Sequence, residues 1–290
     1  MTRPRIFDTF PINDEFDMLE CRLEEMASAV DYFIAIEADV DHQNHPKPYH
    51  LSDNLDRFAP WKDKLLVVRA SGLPTSEHAP DPWAREWAQR DWVWQGLREL
   101  DAQPEDIVLH GDVDEICHPL YVRNVRPKRR EFITFTQRMH CFAVDWRHPD
   151  PWGGTVAVTV ETAEACGQRL EIDGALHHPG SWQIVRNQRN GIVAINFESY
   201  NLGGGWRHAA LDDAGWHLSW LGGQDRTFKK LGSFCHPEVA DKITDGLSTD
   251  LFLREGWHVD GRKMRAVDVD ETWPKWIRDG KAPASWFRPR

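Results

Sequence analysis

Apolar and polar positions along the first 115 residues fall into blocks that read as strand, helix, strand. The run "RIFDTF" (5–10) has the length of a short buried strand. Phe16, Leu19, Leu23 and Met26 follow at spacings of three, four and three, with acids filling the other face, which predicts an amphipathic helix. "DYFIAIEA" (31–38), "KLLVVRA" (64–70) and "DIVLH" (106–110) are nearly continuous in apolar residues, the pattern of parallel strands covered on both faces. A helical stretch from about Pro82 to Leu100 separates the last two. Such alternation predicts an α/β sheet with right-handed crossovers. From 132 the pattern changes. "FITFTQRMHCFAVDW" and "TVAVTVE" read as antiparallel strands, "WQIVR" (182–186) follows as a further strand-like run, and helices are expected near 225–232 and 237–246. No low-complexity linker or repeat divides the chain, so a single domain is expected over 1–290. It comprises a nucleotide-binding-like half (1–120), a mixed half that completes the site (121–260) and a tail (261–290).

In open α/β sheets ligands bind beyond the carboxyl ends of the strands. The predicted strands end on polar groups: Asp8 and Thr9 after the first, Glu37 after the second, and Asp112, Asp114 and Glu115 after the fourth. In an extended segment Asp112 and Asp114 would share one side while Val113 points inward. Paired carboxylates suit Mg2+ or Mn2+, which keep further positions for phosphate oxygens and neutralise a departing diphosphate. The plainer alternative is an Asp-rich turn that caps a strand. Upstream, Trp83, Trp87, Arg90, Trp94 and Leu97 share one helical face, with Trp92 opposite and at the surface. A guanidinium inside that stripe must be paired, with either a structural carboxylate or a bound phosphate.

Composition narrows the partners. The net charge of −11 disfavours wholesale binding to nucleic acid or anionic membrane. The basic runs at 123–130 and 275–290 read ordinarily as solvated surface and leave an anionic partner open, such as a phosphorylated lipid, an acidic polysaccharide or nucleic acid. No apolar run is long enough to span a membrane, and five scattered cysteines form neither a disulfide framework nor a zinc pattern, which suits a reducing cytoplasm. Fifteen tryptophans are unusual: core and surface packing is the ordinary reading of any one of them, and as a set they point to a carbohydrate or other ring-bearing ligand.

Six segments in order carry a family resemblance: "IFDTFPINDEFDMLECRLEEM" (6–26), "VDYFIAIEADVDHQNHPKPYH" (30–50), "REWAQRDWVWQGL" (85–97), "DIVLHGDVDEICHP" (106–119), "AGWHLSWLGG" (214–223) and "KKLGSFCHPEV" (229–239). Together they resemble glycosyltransferase family 17. The resemblance implies a GT-A-like fold and a nucleotide-sugar donor, UDP-GlcNAc in the characterised branch. It also implies Mn2+ or Mg2+, a glycan or glycoconjugate acceptor, and inversion at the anomeric carbon. On that basis "GDVDE" looks like the family's D-x-D, with Asp112 toward ribose or metal and Asp114 as the direct ligand. Asp8 and Glu37 become candidates for base and ribose contacts, and Arg85, Gln89 and Arg90 for the diphosphate or sugar. Trp216, Trp220 and His217 would line the sugar pocket, and His217 or His236 would supply a late metal ligand. Lys230 would reach phosphate, unless it belongs to a solvated helix face. For the base that an inverting transfer requires, Asp213 is the first choice and Glu198 the second. Animal members are membrane-anchored, and the lack of an anchor here suggests a bacterial or viral cytoplasmic enzyme.

Two other classes stay open on the sequence alone. One is a metal-dependent phosphoesterase built on Asp112, Asp114 and histidines. The other is a non-catalytic sugar-binding protein built on the tryptophans.

Overall fold

The computed structural model describes residues 3–75, 77, 82–167, 170–172, 175–178, 180–190, 204–231 and 251–289. Its first part runs β1 (Ile6–Ile12), α1 (Phe16–Met26), β2 (Tyr32–Ala38), a 3-10 segment (Ser52–Trp61) and β3 (Leu65–Ala70). Next come α2 (Pro82–Asp91), α3 (Val93–Glu99) and β4 (Ile107–His110). After these follow β5 (Glu115–Cys117), α4 (Pro119–Asn124), β6 (Glu131–Cys141), β7 (Trp146–Arg147), β8 (Trp152–Thr159) and α5 (Val160–Ala165). The remainder is β9 (Leu170–Ile172), β10 (Ala175–His178), α6 (Ser181–Asn187), β11 (Arg207–Leu211), β12 (Gly215–Ser219), α7 (Gly223–Leu231), β13 (Arg265–Ala266) and α8 (Lys275–Arg278).

The main sheet places β3, β2, β1 and β4 side by side and all parallel. It continues through β8 and β6, each antiparallel to its neighbour. Further along β6, β11 and β12 pair with it in parallel, one after the other. The expected α/β class is therefore observed, mostly parallel in the first half and mixed in the second. The chain steps from β1 outward to β2 and β3, then returns to lay β4 on the other side of β1. That reversal makes the crevice beyond the carboxyl ends of β1 and β4 the topological switch point, where ligands of such sheets bind.

Strand alternation decides what each face buries. In β1, Ile6, Phe10 and Ile12 join one core with Leu19, Leu23 and Met26 of α1. Phe7 joins the other core with Ile34, Val68, Leu97 and Trp182. Asp8 falls on the α1 face, at 0% exposure, in the middle of β1 and not at its end. Pro11 reads as a strand stop, yet β1 runs through it in register with Ile36. The buried Asp8 is answered by Arg22, which sits on the inner face of α1 between Leu19 and Leu23, also at 0% exposure. Arg22 donates to both Asp8 oxygens at 2.7 Å. Its remaining nitrogen reaches the carbonyls of Asp112 (2.8 Å), Val113 (3.2 Å) and Glu115 (2.8 Å). One side chain thus ties β1, α1 and the acidic turn together.

Two expectations about elements are corrected. The 82–100 stretch is two helices, α2 and α3, and Trp92 at their junction is partly buried against the second core. "WQIVR" is helical: α6 buries Trp182, Ile184 and Val185, a short apolar run whose period alone cannot separate helix from strand. Gly180 starts that helix at φ +86, where an added Cβ would lie 2.5 Å from an Asp91 oxygen. The helix expected at 237–246 lies outside the described residues. The basic tail is an intramolecular strap. Lys275 and Lys281 pair with Glu24 of α1, Arg288 pairs with Asp145, and Trp276, Ile277 and Trp286 enter the first core. In the 123–130 run, Arg123 donates to Ser28, Arg126 to backbone carbonyls, and Arg130 packs over Trp206.

Replacing Arg22 with Leu leaves Asp8 charged and unpaired in the core, a loss of about 3–5 kcal/mol in a denaturant melt. Replacing both, Asp8→Leu with Arg22→Leu, restores much of that stability if the carbonyls of the turn find water. Equal stability of Arg22→Leu and the native chain would contradict the pairing.

Candidate active site

The fourth strand delivers the acidic cluster as a β-turn, not as an extended segment: the Glu115 amide donates to the Asp112 carbonyl at 3.0 Å. Asp112 and Asp114 therefore engage different partners, against the expectation that they share one side. Val113 anchors the turn in the core, as expected.

Asp112 is consumed by two guanidiniums. Arg90 donates to Oδ1 at 2.7 Å and Arg186 of α6 to Oδ2 at 2.8 Å. Burial pushes the carboxyl up, but Arg186 and Arg90 outweigh it and hold Asp112 well below the usual range. Glu115, at 0% exposure, accepts from Arg186 at 2.6 and 3.0 Å and from the Trp152 indole at 2.7 Å. Gly111 makes this possible, because an added Cβ would lie 2.7 Å from a Glu115 oxygen. The alternative left open for Arg90 resolves to carboxylates: Glu86 at 2.7 Å and Asp112.

Asp114 is different. It points into a cleft of about 310 Å³ at the switch point. Asp14 and Glu15 beyond β1, Arg57, Leu218, Trp220, Arg226 and Lys230 also line it. Lys230 lies 3.3 Å from Asp114 Oδ2 and 5.2 Å over the Trp220 ring, and His217 Nε2 lies 3.6 Å from Oδ1. Burial raises the Asp114 pKa, but Lys230 and His217 outweigh it and bring the value to about 2. His217 stacks on Trp152 with ring centroids 4.6 Å apart.

Most of the other sequence candidates are spent on the fold. Asp8 belongs to Arg22, and Glu37, at 0% exposure, caps the 3-10 segment by accepting from the amides of Leu51 and Ser52. Arg85 donates to the His42 and Pro74 carbonyls, and Gln89 joins the Ile36 carbonyl to His42. These bonds fasten α2 to β2 and the loop after it. Trp216 is 2% exposed and stacks on His118 within the first core, so it offers no platform to a ligand. Trp220 keeps that option. Asp213 pairs with Arg138 at 2.5 Å in the turn before β12, four residues from His217. Asp213 is not among the residues that line the cleft. Glu198 and His236 lie outside the described residues.

Three cations were missed. Arg186 sits in the run read as a strand. Arg189, beside it, packs over Trp152 at 4.9 Å, and among the described residues it makes no hydrogen bond or ion pair. Arg186 and then burial lower its pKa to about 10. Lys47 has a buried Nζ with no hydrogen-bond partner, near Glu37, Glu15 and Asp14. Uncompensated cations are costly to bury, and the Lys47 Nζ is the buried one of these two without a hydrogen-bond partner.

The expected Mn2+ or Mg2+ fits this turn poorly. Both Asp112 oxygens already accept from arginines, so Asp112 is no free ligand. Among the described residues only Asp114 offers the cleft an acid at this turn, next to His217.

The sequence model of glycosyltransferase family 17 matches residues 1–140. This chain carries the glycosyltransferase family 17 signature over that stretch. The human β-1,4-mannosyl-glycoprotein 4-β-N-acetylglucosaminyltransferase is 24% identical over 240 residues, covering 79% of this chain and 43% of that protein. The rat protein of the same name is likewise 24% identical, over 79% of this chain and 42% of its own length. The chain thus spans less than half the length of these relatives. Among solved structures, 4-diphosphocytidyl-2C-methyl-D-erythritol synthase aligns at 11% identity and a TM-score of 0.37, covering 72% of this chain and 90% of that one. A glycosyltransferase involved in glycosylation of the major capsid of PBCV-1 aligns at 12% and 0.32, covering 72% and 82%. Those superpositions are too loose to bear on the site. The family 17 match includes Asp8, Arg22, Arg90 and the whole acidic turn, whereas Arg186, His217 and Lys230 lie beyond it.

A carboxylate whose pKa falls on folding contributes stability that is present above its unfolded value near 3.8 and lost as pH drops through about 2. For Asp114 this is worth about 2 kcal/mol. Lys230→Met removes the largest opposing charge, so Asp114 is expected to titrate at higher pH in a carboxyl-carbon NMR titration. An unchanged Asp114 pKa would show that Lys230 does not set it.

Proposed function

We propose that this chain is a glycosyltransferase that moves a sugar, GlcNAc in the favoured case, from a UDP-sugar to a hydroxyl of a glycan or glycoconjugate with inversion. The observation that carries the reading is the cleft beyond β1 and β4, where Asp114, Lys230, Arg226 and Trp220 converge. Transfer from a nucleotide sugar needs positive charge where the diphosphate departs. Lys230 is placed for this: it holds Asp114 at 3.3 Å, longer than the Arg pairs on Asp112, and a phosphate oxygen can take over that contact. Arg226, paired with Asp14 at 2.6 Å, stands beside it, and Trp220, with Lys230 5.2 Å over its ring, is the aromatic residue of the cleft placed next to the departing group. Asp114 is left to accept from donor hydroxyls.

An inverting transfer also requires a base within hydrogen-bond reach of the acceptor hydroxyl. Asp213 is paired with Arg138 and does not line the cleft, which argues against it and leaves Glu198 as the base in this proposal. No step is assigned to Mn2+ or Mg2+, since Asp112 is committed elsewhere. The same commitment weakens the phosphoesterase reading, which needs several carboxylate and histidine ligands at one place. Burial of Trp216 weakens a purely lectin-like reading.

UDP-GlcNAc is expected to raise the melting temperature, with Mn2+ dependence reporting directly on any ion at the turn, while free GlcNAc and a generic phosphate ester leave it unchanged. Stabilisation by free sugar alone, or turnover of the ester, would overturn the proposal. Asp114→Asn and Lys230→Met are each expected to lower kcat/KM for UDP release from UDP-GlcNAc by roughly 10²–10³-fold in folded protein. Native rates in both would remove the cleft from the chemistry.

A further inference from the structure

A second polar cluster lies outside the cleft and has no part in the proposed transfer. Two of the sequence's His-x-Asp triplets are His148-Pro149-Asp150 and His258-Val259-Asp260. The fold brings these two together. His148 follows β7, and His258 and Asp260 sit in a turn closed by the Trp257–Lys263 bridge, next to β13, which pairs with β7. His148 Nε2 lies 3.1 Å from Asp260 Oδ2, and His258 Nδ1 lies 3.0 Å from Asp260 Oδ1. One nitrogen from each imidazole and one carboxylate oxygen all fall within 4.8 Å of one another.

We propose that His148, His258 and Asp260 form a structural site for a zinc-like divalent ion. Two imidazoles and a carboxylate suit zinc and its first-row neighbours, whereas Mg2+ and Ca2+ prefer oxygen alone. Ligands around a tetrahedral ion at ~2.0–2.1 Å stand about 3.3 Å apart, so a set within 4.8 Å closes onto an ion with small side-chain shifts. The His148 ring is provided for in both states. With the proton on Nε2, it donates to Asp260, and Nδ1 accepts from the Asp150 amide at 3.1 Å. With the proton on Nδ1, it donates to the Asp150 carbonyl, also at 3.1 Å, which frees the Nε2 lone pair for an ion. Metal-bound histidines are commonly oriented by that second kind of bond. Arg262 bonds both Asp260 and Asp150: its guanidinium holds Asp260 by Oδ2, and its backbone amide donates to Oδ1 at 3.0 Å, an uncharged contact that leaves this oxygen a lone pair on the His258 side. His148 is buried, while the Asp260 side chain is 32% exposed and opens the way in for an ion.

The ion would fasten the 257–263 turn to β7, beside the cluster of Met139, Trp146, Phe252 and Met264. This inference does not rest on sugar transfer. After chelator treatment, the full chain is titrated with Co2+ alone and then with Zn2+. One equivalent of Co2+ is expected to give the visible d–d bands of a four-coordinate ion, Zn2+ to bleach them, and Zn2+ to raise the melting temperature. Asp260→Asn, isosteric and on an exposed turn, is expected to weaken Zn2+ binding by about 100-fold or more, as is His258→Gln. Asp114→Asn should bind Zn2+ as the native chain does. Absence of the cobalt bands in native protein, or unchanged affinity in Asp260→Asn, would overturn the proposal.

Discussion

A guanidinium sealed from water holds the acidic turn in place. Arg22 satisfies the one carboxylate buried in β1 and, with its remaining nitrogen, three carbonyls of the turn that follows β4. The pair would be no asset to stability if a hydrophobic pair of equal volume could replace it. Its use here is positional. By gripping backbone and not side chains, it fixes the turn's path while leaving the carboxylates to other partners. A second arginine layer, Arg90 and Arg186, then takes Asp112 and Glu115. Three acids within four residues are tolerated because Arg90 and Arg186 answer Asp112 and Glu115, Lys230 and His217 answer Asp114, and Arg22 holds the backbone that carries them.

This partition of labour changes what the acidic motif does. Two carboxylates in a D-x-D suggest a shared cation, but a turn is not a strand, and its alternate positions diverge. Asp112 acts as a strut between α2 and α6. Asp114, with Lys230 within reach, acts at the surface of the crevice. The cleft itself is lined by ion pairs: Arg57 with Asp17, Arg226 with Asp14, and Lys230 with Asp114.

Much of the fold was legible because apolar periodicity reports directly on burial. β1 to β4 and α1 fell where the runs placed them, and the switch point followed from the strand order. The site was less legible, for one recurrent reason. A polar residue at an apolar position announces that it is buried and paired, and the sequence does not say with what. Arg90 carries that signal inside its tryptophan stripe, and Arg22 carries it at a core position of α1. Asp8, Glu37, Arg85 and Gln89 look like ligand contacts in the sequence, but each completes a hydrogen-bond requirement of the fold. "WQIVRNQR" hid two guanidiniums because a short apolar run fits helix and strand alike. Trp216 and Trp220, four residues apart, went to opposite fates, one to the core and one to the cleft, as the end of β12 dictated.

The central claim is that the arginines keep Asp112 out of the chemistry and leave the crevice beside Asp114 to the donor. A crystal structure of the protein soaked with UDP and Mn2+ tests it most directly. The account predicts diphosphate density between the ends of β1 and β4, against Lys230 and Arg226, with Asp112 still bound to Arg90 and Arg186. Asp112 swung off both arginines onto an ion, or nucleotide bound away from that crevice, would contradict it.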